Sequence, residues 1–259
     1  MSDEILYSVE DGVARLVLNR PASRNALTFE MYERLAEICS SLSGQTDVRA
    51  LVITGAGDKA FAAGTDIAQF RAFSTPEDAI AYESKIERVL TALEDCLVPT
   101  IAALAGACTG GGAAIAACCD LRIAASNARF GFPIARTLGN CLSVSNYARL
   151  AALIGPARVK DLIFTSRLVD AAEAKAIGLV TELVEDVAAL PARADALARL
   201  VAGQAPLTLR ATKEALARIR RRSADVQGDD LVVLCYTSED FREGIDSFLE
   251  KRSPRWKGR

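Results

Sequence analysis

Short apolar segments alternate with segments of helical periodicity along the first half of the chain. Residues 13–18 and 50–54 are brief apolar runs, and each predicts a β-strand. Between them, apolar side chains recur at helical spacing after Thr28, a residue type suited to cap a helix N-terminus. A second unit follows, with a helix, a strand and, after a glycine-rich turn and a short helix, another strand, at residues 76–95, 98–104 and 121–125. This alternation predicts an α/β core in which helices cover the sheets.

The second half of the chain is predicted to be mainly helical. Asp170 and Glu173 have the spacing of a capping box, which marks the start of one helix. Three longer helices are then predicted, at residues 187–202, 208–222 and 228–251. No linker rich in glycine or serine separates the two halves. We therefore predict an α/β core over residues 1–200 and a C-terminal helical oligomerisation region over residues 201–259.

Composition and charge argue against nucleic-acid-binding, membrane-spanning and secreted proteins. The 259 residues carry a net charge of −2, whereas a dedicated nucleic-acid-binding protein usually has a basic excess. No apolar stretch reaches the roughly 18 residues that a membrane-spanning helix needs. The N-terminus, Met1 to Glu4, is acidic and unlike a secretory or transit peptide. These features predict a cytoplasmic protein that binds neither nucleic acid nor a membrane, with its seven cysteines as free, mostly buried thiols.

The chain contains no histidine. Its absence excludes Ser-His-Asp triads, histidine general bases and histidine-ligated metals. Any chemistry must therefore use carboxylates, hydroxyls, thiols, lysines, tyrosines or the backbone.

Two segments of small residues follow predicted strands and lead into helices. The first spans residues 61–67, and the second spans residues 106–114 with three consecutive glycines. Small residues let a ligand approach the backbone, and a helix start leaves N–H groups that favour an oxygen carrying negative charge. The second segment lacks the Gly-Lys-Ser/Thr of a P-loop and the spacing of a dinucleotide fingerprint. The alternative interpretation of this segment is a tight strand-to-helix turn that binds no ligand. One N–H from each segment would form an oxyanion hole, each contributing about 2.7–4 kcal/mol.

An ordered set of short motifs resembles the crotonase superfamily, the enoyl-CoA hydratase/isomerase family, from about residue 5 to the C-terminus. Each motif is weak alone, but the set in this order is highly specific. The motifs are Arg20-Pro with Arg24-Asn-Ala-Leu27, Phe61 to Ile67, the triple glycine, Cys119 to Ala124, Ala172-Glu-Ala174, Gly178-Leu-Val180 and the tail from Glu243 to Pro254.

The resemblance implies a spiral of ββα units followed by a helical region, assembled as a homotrimer or a dimer of trimers. It implies an acyl-CoA substrate, with coenzyme A entering as part of that substrate and with no separate cofactor or metal. The backbone N–H groups of Thr65 and Gly111 would form the oxyanion hole. Structural roles are expected for Asp120 and Arg122. The residues implied to bind CoA or border the substrate pocket, the last two of them in this or a neighbouring subunit, are Arg24, Ala26, Ala63, Gly64, Asp66, Ile67, Phe248 and Lys251.

The sequence departs from the family where the two usual catalytic glutamates are expected. The first position is Ala114, and the second is Ile134 or Ala135, because the loop before Gly139 has one extra residue. None of these side chains can carry a proton, so hydration by two carboxylates is not expected. The polar residues that remain near the expected site are Thr137, Asn140, Cys141, Ser143, Ser145, Asp66 and, from the preceding helix, Glu83 or Glu87.

Three hypotheses follow. The first is an acyl-CoA-processing lyase or isomerase that stabilises a thioester enolate with atypical catalytic residues. Decarboxylation of a malonyl-type CoA ester fits these residues best because it needs no strong base, and hydration or isomerisation by a carboxylate from another position is the alternative. The second is a non-catalytic acyl-CoA-binding subunit that has lost the chemistry. The third, RNA binding on the outer surface, is disfavoured by the acidic composition.

Overall fold

The computed structural model describes residues 4–45, 47–221 and 228–259. Residues 1–3 of the acidic N-terminus and Arg222, the last residue of one predicted helix, lie outside this part of the chain. The strands are β1 (Ile5–Glu10), β2 (Val13–Leu18), β3 (Ala50–Gly55), β4 (Ala60–Ala62), β5 (Thr100–Leu104), β6 (Ala107–Thr109), β7 (Leu121–Ala125), β8 (Arg129–Gly131), β9 (Val169–Asp170) and β10 (Glu182–Val184). The helices are α1 (Phe29–Ser41), α2 (Pro76–Glu94), α3 (Gly111–Cys118), α4 (Ile134–Thr137), α5 (Val144–Ile154), α6 (Pro156–Thr165), α7 (Ala171–Ala176), α8 (Leu190–Ala202), α9 (Pro206–Arg221), α10 (Asp229–Tyr236) and α11 (Glu239–Leu249).

The strands form two sheets that share a repeating connection. The larger sheet has the order β1-β2-β3-β5-β7-β10, and the smaller has the order β4-β6-β8-β9. Three times in succession, one strand joins the larger sheet, the next joins the smaller sheet, and a helix follows: β3-β4-α2, β5-β6-α3 and β7-β8-α4. The pairs β3·β5, β5·β7, β4·β6 and β6·β8 are all parallel. The predicted α/β spiral of ββα units is therefore confirmed.

Both faces of the larger sheet are buried at its central strands β3, β5 and β7, which explains why these strands are nearly continuously apolar. Every residue of β5 is buried, and its side chains alternate between two hydrophobic clusters. One cluster packs against α1, α2 and α3, and the other against the buried face of α8. Parallel strands covered by helices on both sides are expected to lack the polar alternation of half-exposed strands.

The predicted starts of α1 and α2 agree with the structure. The Thr28 hydroxyl accepts a hydrogen bond of 3.2 Å from the Met31 N–H and caps α1. Thr75 and Asp78 form a reciprocal capping box at the start of α2, which runs over 19 residues. Both caps satisfy N–H groups that have no partner inside the helix. These two helices therefore begin where their side-chain chemistry indicates.

The C-terminal prediction is wrong at residues 228–251, where one helix was expected. The chain forms α10 and α11 instead, because the Ser238 hydroxyl accepts a 2.9 Å hydrogen bond from the Phe241 N–H and starts a new helix. At α7, the Asp170 carboxylate accepts a hydrogen bond from the Glu173 N–H and caps the helix as expected. The Glu173 carboxylate binds Arg167, however, and does not complete the capping box. Residue 200 lies inside α8, which packs on the sheet, and the division of the chain at that point stays a prediction.

Asp120 and Arg122 hold neighbouring backbone segments in place. The Arg122 guanidinium, almost fully buried, donates to the carbonyl oxygens of Leu179 at 2.7 Å and Cys119 at 2.5 Å. The Asp120 carboxylate accepts from both the N–H and the hydroxyl of Thr100, at 2.7 and 2.9 Å. These contacts support the structural roles expected for both residues. All seven cysteines are free thiols, five of them buried.

Candidate active site

A cavity of about 550 Å³ lies where the two small-residue segments meet α1, α2 and the C-terminal helices. Its wall is mainly apolar, as is usual for small-molecule sites. Nine of the ten residues proposed for the oxyanion hole and for substrate binding line it: Arg24, Ala26, Ala63, Gly64, Thr65, Asp66, Ile67, Gly111 and Phe248. The tenth, Lys251, is exposed just beyond the end of α11 and does not line the cavity of this chain.

Thr65 lies in an isolated parallel bridge with Leu27. The Leu27 N–H donates to the Gly64 carbonyl at 2.8 Å, and the Leu27 carbonyl accepts from the Asp66 N–H at 2.9 Å. In this pattern the flanking residues make the bonds, so the N–H of Thr65 points away from Leu27. Among the described residues, no acceptor binds the Thr65 N–H.

Gly111 is the first residue of α3, so its N–H has no acceptor within the helix. The preceding residue, Gly110, has φ of 52°, which a side chain would disfavour, and its N–H donates to the Gly131 carbonyl at 3.1 Å. A Cβ atom added to Gly110 would lie 3.3 Å from the Gly64 Cα. The loops that carry Thr65 and Gly111 are therefore in direct contact at the cavity wall.

A chain of three hydroxyl groups lies beside Gly111. The Thr65 Oγ1 atom is 2.9 Å from the Tyr32 hydroxyl and 3.1 Å from the Tyr82 hydroxyl. A Cβ atom added to Gly111 would overlap the Tyr32 hydroxyl oxygen and lie 3.1 Å from Thr65 Oγ1. Burial raises the pKa of both tyrosines, so both stay neutral in the physiological range. The side chain of Thr65 thus binds two tyrosines while its N–H remains available.

The positions of the two missing glutamates are apolar at the cavity. Ala114 and Ile134 line it, whereas Ala135 is exposed and does not, so Ile134 is the better spatial equivalent of the second position. Thr137 and Asn140 also line the cavity, but the Thr137 hydroxyl donates to the Pro133 carbonyl. The Asn140 Oδ1 atom is buried and has no partner among the described residues.

The other polar candidates divide into two groups. Cys141 lines the cavity, and the Asp66 carboxylate is held by the Arg20 guanidinium at 3.1 Å and the Ala68 N–H at 3.2 Å. Ser143 instead caps α5, and neither it nor Ser145 lines the cavity. The hydroxyls of the loop are therefore mostly occupied in holding the backbone.

Glu83 also lines the cavity, and no ion pair joins it to a cation among the residues that the structure describes. The Tyr236 hydroxyl donates to Glu83 Oε1 at 2.6 Å, and the Asn140 Nδ2 group donates to the Tyr236 oxygen at 3.1 Å. Burial raises the pKa of Glu83 to about 7, while the hydrogen bond from Tyr236 lowers it and the nearby charge of Glu87 raises it. Glu87 lies one turn further along α2, does not line the cavity, and is bound by Arg149 at 2.6 and 2.8 Å.

Tyr32, Tyr82 and Tyr236 line the cavity and are not among the site residues predicted from the sequence. Tyr82 and Tyr236 pack with Phe70 in an aromatic cluster whose ring centroids lie 5.0 to 6.4 Å apart. Glu83, by contrast, is one of the predicted candidates, and the helical spacing of α2 supports it because Glu83 shares a stripe with the buried residues Ala79 and Ile86. A carboxylate on an apolar helix face is unusual and often marks a functional site.

Neither a metal-binding cluster nor a membrane-spanning helix occurs among the described residues. Among the described residues, no three Cys, Asp or Glu side chains converge as a metal site would require. In the same part of the chain, no helix is both long and apolar enough to cross a bilayer.

The family model for enoyl-CoA hydratase/isomerase matches residues 8–259 of the chain. The chain is 36% identical over 255 residues to the crotonyl-CoA hydratase of Syntrophomonas wolfei, covering 96% of each protein. It is 34% identical over 255 residues to the short-chain-enoyl-CoA hydratase of Clostridium acetobutylicum, again covering 96% of each.

Solved structures of other proteins are similar to this chain over its whole length. A methylmalonyl-CoA decarboxylase in complex with 2-nitronate-propionyl-CoA has a TM-score of 0.90 at 27% identity, with all of both chains covered. An enoyl-CoA hydratase/carnithine racemase from Magnetospirillum magneticum has a TM-score of 0.80 at 34% identity, with 100% of this chain and 97% of the other covered. These matches confirm the fold and the family that the sequence motifs predict.

Proposed function

Because the chain belongs to the enoyl-CoA hydratase/isomerase family, we propose that it is an acyl-CoA-processing enzyme that stabilises a thioester enolate in a backbone oxyanion hole. The observation that carries the proposal is the pair of N–H groups at Thr65 and Gly111. Both lack an acceptor among the described residues, and the loops that carry them touch at one wall of the cavity. A thioester oxygen bound there would accept a hydrogen bond from each N–H group.

The physical basis is the charge that appears on the thioester oxygen. Loss of a proton or of carbon dioxide from the α-carbon, or addition at the β-carbon, leaves an electron pair that delocalises onto this oxygen. Two N–H donors in a mainly apolar cavity stabilise that charge, and each contributes on the order of 2.7–4 kcal/mol. Side-chain bases do not assist from positions 114 and 134, where the residues are Ala and Ile.

We assign the coenzyme A portion of the substrate to the same cavity. Arg24 and Ala26 would lie along it, and the backbone from Ala63 to Ile67 would contact its adenine end. Phe248 would border the acyl pocket, and Lys251 would contribute from this or a neighbouring subunit. Coenzyme A would enter only as part of the substrate, with no separate cofactor.

A homotrimer or dimer of trimers is proposed for the assembly. Helix α9 supports it, because Leu216 and Ile219, three positions apart on one face of this helix, are 62% and 67% exposed. Apolar side chains of this size on one helix are typical of a surface that another subunit covers.

Decarboxylation of a malonyl-type CoA ester is the second candidate for the reaction. The apolar residues Ala114 and Ile134 favour it, as does the high structural similarity to a methylmalonyl-CoA decarboxylase. The names of the relatives favour hydration instead. The remaining alternative is an acyl-CoA-binding subunit without activity.

A panel of acyl-CoA esters followed by mass spectrometry tests these proposals. The panel contains crotonyl-CoA, methylmalonyl-CoA and butyryl-CoA, and the readouts are addition of water, loss of carbon dioxide and uptake of solvent deuterium at the α-carbon. We expect at least deuterium uptake. A correctly folded protein that binds these esters and changes none of them would contradict the enzymatic proposal and support the binding subunit.

A matched pair of variants tests the donor at Gly111. Any side chain there would collide with the Tyr32 hydroxyl, so both variants carry Tyr32→Phe to make room. With Gly111→Ala the N–H remains, whereas with Gly111→Pro it is removed. We expect the Pro variant to be roughly 10²–10³-fold slower than the Ala variant. Equal rates in two folded variants would remove Gly111 from the oxyanion hole.

A further inference from the structure

The Glu83 carboxyl group stands apart from every other acidic side chain described for this cavity. It lines the same cavity as Thr65 and Gly111, and its closest polar contact is the 2.6 Å hydrogen bond from Tyr236. Among the described residues, none with a cationic side chain forms an ion pair with it, whereas Asp66 is paired with Arg20. A carboxyl in an apolar wall without a cation is costly to maintain for structural reasons alone.

Several elements contribute titratable groups that interact with Glu83, and in the part of the chain that the structure describes none of these groups is a cation. Its interactions with Tyr82 and Glu87 come from α2, and those with the other titratable groups come from α1, the loop before α5, α5 itself and α10. These other groups are Tyr32, Cys141, Tyr147 and Tyr236. Each is neutral near pH 7 because burial raises its pKa or, for Cys141, because Cys235 and burial do so.

We propose that Glu83 is the catalytic acid–base of this enzyme and exchanges a proton with the α-carbon of the bound thioester. The inference rests on the proposed function, because it needs the enolate that the oxyanion hole would stabilise. As a base, the Glu83 carboxylate takes the α-proton, and the electron pair of the C–H bond moves onto the thioester oxygen. As an acid, the Glu83 carboxyl returns a proton to the α-carbon while the thioester carbonyl reforms. No other reactant is needed.

The protonation equilibrium of Glu83 suits both directions. Its pKa of about 7, raised by burial, leaves comparable amounts of acid and base near neutral pH. General acid–base catalysis is most effective when the pKa lies near the working pH. The chain has no histidine, the residue that most often meets this condition. Glu83 would therefore take the place of both the absent histidine and the absent carboxylates at positions 114 and 134.

Tyr236 is a positioning residue in this scheme. Its hydroxyl donates to Glu83 Oε1, which fixes the orientation of the carboxylate, and it accepts from Asn140. The unpartnered Oδ1 atom of Asn140 lies on the same side chain and would accept a hydrogen bond from a water molecule or substrate hydroxyl.

Deuterium uptake into butyryl-CoA tests the proposal directly. Glu83→Gln keeps the shape of the side chain but cannot exchange a proton, so we expect uptake to fall by roughly 10²–10⁴-fold. The Kd for butyryl-CoA should stay within about threefold. The matched control is Glu77→Gln on the exposed first turn of α2, which should leave both quantities unchanged.

The pH profile separates catalysis from a purely structural role. In the unchanged protein, uptake should rise with pH as Glu83 ionises and level off above about pH 7, and this rise should be absent from any residual uptake by the Glu83→Gln variant. Uptake by Glu83→Gln within threefold of the unchanged protein would overturn the role of Glu83 alone. No deuterium uptake by the unchanged protein would overturn the role of Glu83, and the oxyanion-hole proposal would fall with it only if that protein also neither hydrates crotonyl-CoA nor decarboxylates methylmalonyl-CoA. Should Glu83→Gln fail to fold, the absence of the pH-dependent rise in the unchanged protein would itself overturn the proposal.

Discussion

Helix α2 carries carboxylates in two contrasting surroundings. The turn that includes Tyr82 and Glu83 faces the cavity, where Glu83 meets aromatic rings and hydroxyls. The following turns face α5 and α9, where Glu87 binds Arg149 and Glu94 is paired with both Arg149 and Arg220. Glu83 and Glu87 are only one helical turn apart, yet the first lacks a cation among the described residues and the second has one.

If Glu83 has the proposed role, one helix serves structure and chemistry together. The Arg149 side chain is only 2% exposed, so its charge must be balanced, and the carboxylates of Glu87 and Glu94 balance it. Glu87 and Glu94 are therefore engaged in holding a buried guanidinium between α2 and α5. Glu83 is destabilised as an anion by its surroundings, and it therefore becomes able to hold or release a proton near neutral pH.

The largest effect is expected from a variant that breaks the ion pair between Arg149 and Glu87. Arg149→Met leaves Glu87 without its bidentate partner in a partly buried position, so we expect the free energy of unfolding to fall by about 3–5 kcal/mol. Urea denaturation measures this change. The control is Arg218→Met, which removes an exposed i,i+4 pair with Glu214 and should change stability by less than about 1 kcal/mol. Similar losses in both variants would contradict the importance of burial at Arg149.

A smaller change, a gain in the free energy of unfolding, is expected when Glu83 is replaced. The Glu83 pKa rises from its ordinary value of 4.5 to about 7 on folding, so the native state binds more protons and loses stability as pH rises between these values. Glu83→Gln removes this loss. We expect the variant to gain roughly 1–3 kcal/mol relative to the unchanged protein between pH 4.5 and pH 8. Urea denaturation at both pH values tests it, and a constant difference would show that Glu83 keeps an ordinary pKa.

The smallest effect is expected from Tyr236→Phe. The hydrogen bond from Tyr236 lowers the Glu83 pKa, so its removal should move the pH-dependent rise in deuterium uptake to higher pH. At pH 7 uptake should fall by up to about tenfold, with little change at high pH. A uniform loss at every pH would indicate misplacement of the cavity wall instead of a changed pKa.

From the sequence, the backbone segments that line the cavity can be located more directly than the contacts among its side chains. The small-residue segments at 61–67 and 106–114 are contiguous, and their position after strands fixes where their N–H groups lie. Glu83 and Tyr236, by contrast, are 153 positions apart, and no local pattern indicates that α10 packs against α2. The break between α10 and α11 was missed because Ser238 acts as a cap only when the helix direction changes there.

The register of the smaller sheet has a consequence for how the site tolerates change. Ala62 of β4 pairs with Cys108 of β6, so Thr65 and Gly111 both lie three residues beyond a matched pair on neighbouring parallel strands. On the proposed function, the pairing of these neighbouring parallel strands, about 4.8 Å apart, brings the two N–H groups to one wall of the cavity through the backbone. Mutational drift can exchange the groups around the acyl chain while this backbone frame keeps its dimensions. On this proposal, new reactions can evolve on the same scaffold without rebuilding the pair of backbone donors.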